Sequence, residues 1–162
     1  MLTATSNRIG QPVQRKEDLR LVTGAGCFSD DVNLAHQAYA VMVRSPHAHA
    51  RVVAIDTTKA LASPGVIAVL TGSDALGDGM QAIPHRPFSP HPADIPLANT
   101  DGTPMFMAPH YPLVIDKVRH VGEALAMVIA ESVAAAKDGA ELVEIEYDVL
   151  PAVANTAAAA RP

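Results

Sequence analysis

The sequence predicts an α+β fold with a mixed sheet, two short-to-medium helices and one long proline-rich loop. Strand-like apolar segments are interrupted by only a few short helical ones, which favours α+β over a doubly wound parallel sheet. The order strand-helix-strand occurs twice, and a proline-rich stretch across residues 77–113 separates the two occurrences. Apolar residues make up 49% of the 162 residues, which is enough for the core of one domain.

The first half of the chain predicts three strands. Residues 38–43 are all apolar, which is typical of a strand that is buried on both faces. Residues 51–56 and 66–70 are rich in β-branched side chains and predict the next two strands. We expect Thr57 to cap a short helix between these two strands, and Ser73 to cap a further helical turn after the third.

The second half predicts a strand, a helix and a strand in that order. Residues 123–130 form the first strand, and Ser132 is placed to cap a helix over residues 133–142. Residues 143–149 alternate between apolar and acidic side chains, so they predict a half-exposed strand. The helix is expected to bury one stripe of side chains, which comprises Val133, Ala136, Ala140 and Val143.

Composition divides the chain into three parts. Residues 1–22 are mixed and polar and predict an N-terminal arm, residues 23–154 form the domain, and the alanine-rich residues 155–162 resemble a linker. The loop excursion across residues 77–113 is longer than compact domains usually contain, so it is either disordered or functional. Its large apolar side chains favour an ordered loop that lines a site or a partner surface. They are Met105, Phe106, Met107 and Tyr111.

Composition and charge exclude several functions. The net charge of −5 comes without any cluster of lysines and arginines, which argues against nucleic acid as a partner. No apolar run approaches the roughly 20 residues of a membrane-spanning helix. Cys27 is the one cysteine, so no internal disulfide and no multi-thiolate cluster is expected, and the reducing cytoplasm is the simplest compartment. Charged residues make up only 18%, which indicates that a partner covers part of the surface.

Seven histidines raise the question of a metal site. His47 and His49 are two residues apart, a spacing that on a strand points both side chains to one face. A third ligand at a fixed spacing is missing, so a pair of polar loop histidines is the favoured interpretation. His85 and His91 lie in the proline-rich loop, where a metal site has less support still.

Glu123 is the carboxylate with the most distinctive position, because it follows Gly122 at the start of an apolar strand. Two interpretations remain open. A carboxylate buried at this point could act as a general base. Alternatively, Glu123 is a strand-edge residue that pairs with Arg119 or with a partner domain.

Five blocks of sequence, in the right order, resemble the large subunit of bacterial molybdenum hydroxylases, the xanthine dehydrogenase and aldehyde oxidase family. The most specific block is Arg-Ser-Pro-His-Ala-His-Ala-Arg-Val at residues 44–52. The other blocks are residues 8–24, 62–72, 117–124 and 140–147. The similarity covers residues 8–154 apart from the loop at 77–108.

The resemblance implies an α/β-hammerhead fold within an enzyme that hydroxylates aldehydes, purines or N-heterocycles with oxygen from water. In this family, later domains of the large subunit carry the molybdopterin-binding loops and the glutamate base. Iron–sulfur clusters and, where used, FAD belong to other subunits or domains. We therefore expect no catalytic, cofactor-binding or metal-binding residue in this chain. Its expected partners are the molybdopterin-binding domains, the iron–sulfur subunit and, where present, an FAD subunit.

The resemblance also implies where the chain meets the rest of the enzyme. The loop between the two halves approaches the substrate entrance in the family, so we expect an entrance wall formed by Met105, Phe106 and Met107. We expect an inter-domain contact formed by Arg119, Gly122 and Glu123. The chain is then a non-catalytic structural domain or split subunit, inactive when isolated. The alternative is a stand-alone, non-enzymatic interaction module that keeps the hammerhead fold.

Overall fold

The computed structural model describes residues 15–84 and 98–159, together with Gly10 and Pro12. The chain forms two compact units, Met1–Gln37 and Ala38–Pro162. The smaller unit contains helix α1 (Asp18–Val22) and a 3-10 turn, and neither element buries a residue. Leu19 and Val22 of α1 are 74% and 81% exposed. The division into arm, domain and tail at residues 22 and 154 stays a prediction.

The larger unit contains six strands and four helices among its described residues. The strands are β1 (Tyr39–Arg44), β2 (Ala50–Asp56), β3 (Val66–Thr71), β4 (Lys117–Val118), β5 (Ala124–Ala130) and β6 (Glu144–Val149). The helices are α2 (Thr58–Leu61), α3 (Gly72–Gly77), α4 (Val133–Glu141) and α5 (Thr156–Ala159). The predicted strands are present to within one residue, and the few short helices confirm the α+β class. No helix of the described residues has the length and apolarity to cross a membrane.

The strands form two three-stranded sheets, ordered β1-β5-β3 and β4-β2-β6. Every strand pairing in the described residues is antiparallel. The structure differs here from the single mixed sheet that the sequence predicted, because the helical connections change sheets. Helix α2 leads from β2 in one sheet to β3 in the other, and α4 leads from β5 back to β6. Parallel neighbours need a crossover of a dozen or more residues, and residues 57–65 are too few for one.

Strand β5 contributes to two hydrophobic clusters. Alternate side chains of a strand point to opposite faces, so β5 packs on both sides. The first cluster comprises Ala60, Val69, Ala126 and Val128. The second comprises Val114, Val118 and Leu125. Val118, Leu125 and Val128 are the largest fully buried side chains, each of which contributes roughly 1.5–3 kcal/mol by its burial.

Strand β1 is not buried on both faces, and the sequence prediction was wrong on this point. Its side chains alternate between half-buried and exposed along its whole length. Helix α4 packs on β1 and β5 and covers one face of that sheet. Met42 lies on the opposite face and is 38% exposed. An all-apolar strand here marks a surface that this chain leaves partly open rather than a second core.

The N-cap of helix α3 lies two residues earlier than the sequence predicted. The cap is Thr71, not Ser73, because β3 ends in an extended conformation at Thr71. The hydroxyl of Thr71 accepts the main-chain N–H of Asp74 at 3.4 Å, and the carboxylate of Asp74 accepts the N–H of Thr71 at 2.7 Å. Side-chain and main-chain hydrogen bonds from Thr71 hold the pKa of Asp74 below its ordinary value.

Helix α4 has the predicted cap, and Ala136, Ala140 and Val143 of the predicted stripe pack against the core. Ser132 accepts the N–H of Ala135 at 3.1 Å, as expected of an N-cap. Val133 was expected in the buried stripe and is 46% exposed, whereas Ala136 and Gly139 are the buried residues of the helix. A Cβ on Gly139 would lie 2.7 Å from Val66, so α4 and β3 pack closely at this point.

Gly72 allows α3 to lie directly against the segment that leads into β4. A Cβ at Gly72 would lie 2.1 Å from the carbonyl oxygen of Val114, so no side chain fits there. We expect Gly72→Ala to lower the free energy of unfolding by about 2–3 kcal/mol, because backbone must move to admit the methyl group. Nothing lies within 4 Å of the Cβ position of Gly77, at the other end of the same helix.

Gly77→Ala is therefore the matched control, and its effect should stay within about 0.5 kcal/mol. Urea unfolding measures both variants, and a lower midpoint at unchanged slope reports the loss of stability. Equal midpoints for the two variants would contradict the close contact.

Candidate functional site

Two loops of the larger unit are joined by hydrogen bonds. The main-chain N–H of Ser45 donates to the carbonyl of Glu123 at 2.9 Å, and the N–H of Gly122 donates to the carbonyl of Ser45 at 2.8 Å. The guanidinium of Arg44 donates to the carbonyl of Gly122 at 2.8 Å. Ser45 is only 2% exposed at the centre of this arrangement. The loops that follow β1 and precede β5 therefore form one rigid corner of the domain.

The three residues expected at an inter-domain contact all contribute to the structure of this corner. Gly122 has a φ of +84°, a conformation that favours glycine. The carboxylate of Glu123 accepts the main-chain N–H of Arg119 at 2.6 Å and closes the loop. Arg119 donates to the carbonyl of Lys117 at 2.8 Å, and its Nη2 lies 3.9 Å from the carboxylate of Asp116. The side chain of Arg119 nevertheless remains 37% exposed, so it can also contact a partner.

His47 packs inside the domain. Its ring meets that of Tyr147 edge-on, with centroids 4.7 Å apart. Its main-chain N–H donates to the hydroxyl of Ser45 at 3.0 Å, and that hydroxyl donates back to the His47 carbonyl at 3.1 Å. Burial raises the pKa of the Tyr147 hydroxyl, and a hydrogen bond with Ser45 acts in the opposite direction. The contacts of His47 with Tyr147 and Ser45 therefore serve the packing of the domain.

His49 fastens the segment that follows β6. Its Nδ1 lies 2.7 Å from the carbonyl oxygen of Pro151, to which the ring donates. The main-chain N–H of Leu150 donates to the carbonyl of His49 at 3.0 Å. Within residues 15–84 and 98–159, no three His, Cys, Asp or Glu side chains are grouped to hold a metal ion. The weaker candidates His85 and His91 lie outside the described residues.

A cleft of about 640 Å³ lies beside this corner. It brings together residues from both groups that the sequence pointed to, Phe106 of the long loop and Arg119 of the second loop. The remaining lining residues come from the same two segments and from two others, and they comprise Ala48, His49, Ala108, Pro109, Lys117, His120, Val121 and residues 151–154. The cleft is therefore the place where the expected entrance wall and the expected inter-domain contact meet.

The other expected residues lie around the cleft rather than in it. Met105, Met107 and Gly122 are not among its lining residues. Glu123 lines a neighbouring pocket of about 280 Å³ together with Arg119 and His120. Met105 is half-buried and Met107 is 41% exposed.

Three large apolar side chains that line the cleft remain largely exposed to solvent. Phe106 is 83% exposed, Val121 is 63% exposed and Val153 is 64% exposed. Sequence reasoning missed Val121 and Val153, whose meeting depends on the fold. The one available signal was Pro151, which ends β6 and directs the following segment out of the sheet. These three side chains are therefore apolar groups of the cleft that the described part of the chain leaves exposed.

Comparison with known proteins identifies the family. The sequence matches the family described as "Aldehyde oxidase and xanthine dehydrogenase, a/b hammerhead domain" over residues 23–92 and 90–151. The chain belongs to this family. Quinoline 2-oxidoreductase from Pseudomonas putida 86 has a similar structure, with a TM-score of 0.71 and 37% identity, over 91% of this chain and 17% of that one. The expected hammerhead fold is confirmed.

Curated relatives are much longer than this chain. The large subunit of nicotine 6-hydroxylase from Paenarthrobacter nicotinovorans is 39% identical over 92% of this chain and 16% of its own length. The large chain of carbon monoxide dehydrogenase from Afipia carboxidovorans is 34% identical, with the same 92% and 16% coverage. The chain thus spans about a sixth of the length of these relatives, and it is a domain of a molybdenum hydroxylase-family protein.

Proposed function

We propose that this chain is a non-catalytic structural domain, or a split subunit, of a molybdenum hydroxylase, and that it packs against the molybdopterin-binding domains. The observation that carries the proposal is the cleft at Phe106, Val121 and Val153, where large apolar side chains remain more than 60% exposed. At roughly 25 cal/mol per Å² of apolar surface, covering such side chains is favourable, and the family supplies the covering domains.

The chemistry of the described residues does not fit an iron–sulfur cluster. The cleft presents Lys117, Arg119 and two imidazoles, and the chain has one cysteine. Cluster iron is held by several thiolates. We propose that the molybdopterin, the iron–sulfur clusters and, where used, FAD are held by partner domains or subunits. The proposed assembly hydroxylates an aldehyde, purine or N-heterocycle in the cytoplasm, the compartment that a lone Cys27 favours.

A purified sample of the chain tests this function directly. We expect it to show no hydroxylase activity and no flavin or iron–sulfur absorption, because the groups that do this chemistry lie in the partners. Co-expression with the molybdopterin-binding domains should yield a stable complex that contains molybdenum and hydroxylates substrate. The measurement consists of a metal analysis of the complex and hydroxylase assays of both samples.

Two outcomes would count against the proposal. Activity or cofactor absorption in the purified chain alone would show that it is an enzyme in its own right. A stable monomer that binds no molybdopterin-binding domain would support the alternative, a stand-alone interaction module that keeps the hammerhead fold.

The entrance wall is a separate part of the proposal. We propose that Met105, Phe106 and Met107 line the substrate entrance at the edge of the interface, and that Arg119, Gly122 and Glu123 lie at the inter-domain contact. The support is that Phe106 and Arg119 line one cleft, and that Glu123 lines a pocket that shares Arg119 with it. Both proposals place the loop at 105–107 on the side of the domain that faces the molybdopterin-binding partner.

We expect Met107→Ala in the assembled enzyme to raise KM severalfold and to leave kcat unchanged, because an entrance residue affects access and not the chemical step. Met42→Ala is the matched control, since Met42 is 38% exposed and Met107 is 41% exposed, but Met42 lies on the open face of β1. Steady-state kinetics of both variants measure the difference. The same KM for both would exclude residue 107 from the entrance.

A further inference from the structure

We propose that the cleft at Phe106, Val121 and Val153 is a preformed seat for an apolar side chain flanked by a carboxylate, presented by the molybdopterin-binding part of the same enzyme. This inference rests on the proposed function and specifies the chemistry of its partner. It assigns an occupant to a surface that the domain itself leaves uncovered.

The apolar part of the seat comes from three segments. Phe106 belongs to the long loop, Val121 to the loop before β5, and Val153 to the segment after β6. None of the three contributes to either hydrophobic cluster of the domain. Their side chains therefore do little for the stability of the isolated fold, and their burial by a partner supplies free energy for association.

The walls of the seat are fixed before any partner arrives. His49 holds the wall at 151–154 through its contact with the Pro151 carbonyl at 2.7 Å. The wall at Val121 is held by the N–H of Gly122, which donates to Ser45 at 2.8 Å. A preorganised surface loses less conformational entropy on binding than a mobile one, so a partner can seat a single side chain with useful affinity.

The positive charges that line the cleft predict which group of the partner lies beside its apolar side chain. The guanidinium of Arg119 already has Asp116 3.9 Å away. Lys117 also lines the cleft, and among the described residues its ammonium group forms no ion pair within 4.0 Å. A cation beside an apolar seat favours a carboxylate on the occupant, because an ion pair there is partly desolvated when the apolar surface is covered.

The rest of the large subunit is the available source of this occupant. The family match ends at residue 151, where the wall at 151–154 begins, so the part of the relatives that follows the domain starts beside the cleft. The chain spans only 16% of the relatives' length, which leaves most of the large subunit to cover it. A second copy of this chain and an unrelated peptide are the competing occupants.

Zero-length carbodiimide coupling in the complex with the molybdopterin-binding part tests the seat. The reagent joins an amine to a carboxylate in contact with it, so we expect Lys117 to be coupled to an aspartate or glutamate of that partner. Lys59, which forms an ion pair with Glu144 in this chain, is the internal positive control. Lys137 is exposed on α4 and has no described ion pair, so it is the negative control. Peptide mass spectrometry identifies the coupled pairs.

Three variants make the test quantitative. Phe106→Ala should weaken the complex about 30-fold, as expected of an aromatic anchor, whereas Ile67→Ala should change affinity less than about twofold. Ile67 is 57% exposed on β3, so it is also a large exposed apolar side chain, but it does not line the cleft. Lys117→Arg should keep the affinity and lose the coupling, because a guanidinium preserves the charge but not the amine. Circular dichroism and the urea midpoint confirm that each variant is folded.

Three results would overturn the seat. A complex that forms with unchanged affinity for Phe106→Ala and no coupling at Lys117 would refute it and leave the proposed function standing. Coupling of Lys117 to a second copy of this chain would assign the cleft to self-association. Failure of the unaltered chain to form any complex would refute the proposed function and, with it, the seat.

Discussion

The double burial of strand β5 is the constraint on which the rest of the domain depends. Leu125 points into one hydrophobic cluster, and Ala126 and Val128 point into the other. Antiparallel pairing places β1 and β3 on its two sides. A shift of β5 by one residue would move Leu125 out of one cluster and Ala126 and Val128 out of the other. The register of β5 therefore fixes the positions of the loops that lead into it.

The corner beside the cleft follows from that register. β1 pairs with β5 up to Arg44, where the register shifts and the ladder is irregular. Such an irregularity redirects side chains, and the side chain of Arg44 donates to the Gly122 carbonyl. The segment before β5 is thereby held against Ser45, and Val121 is left facing solvent. Hydrogen bonds therefore fix the shape of this surface, while Val121 remains 63% exposed.

Local patterns in the sequence predicted most of the elements. The alternation of Ile145 and Tyr147 with acidic residues, and the serine before α4, are signals carried by neighbours in the chain. Three predictions were wrong: a mixed sheet, a strand β1 buried on both faces, and a helix cap at Ser73. Each depends on contacts between distant residues, which sequence spacing does not report. The apolar composition of the loop pointed to Phe106 and the position of Glu123 pointed to Arg119, whereas Val153 follows a segment that His49 holds through the Pro151 carbonyl.

We propose that a partner covers the cleft in the assembled enzyme. Hydrogen–deuterium exchange of main-chain amides measures this directly, by comparing the chain alone with the chain in complex with the molybdopterin-binding part. We predict slower amide exchange in the complex at residues 105–108 and 152–154. The exchange of α4 should stay unchanged, because α4 packs within the domain. Unchanged exchange at both segments, with protection elsewhere on the surface, would contradict it.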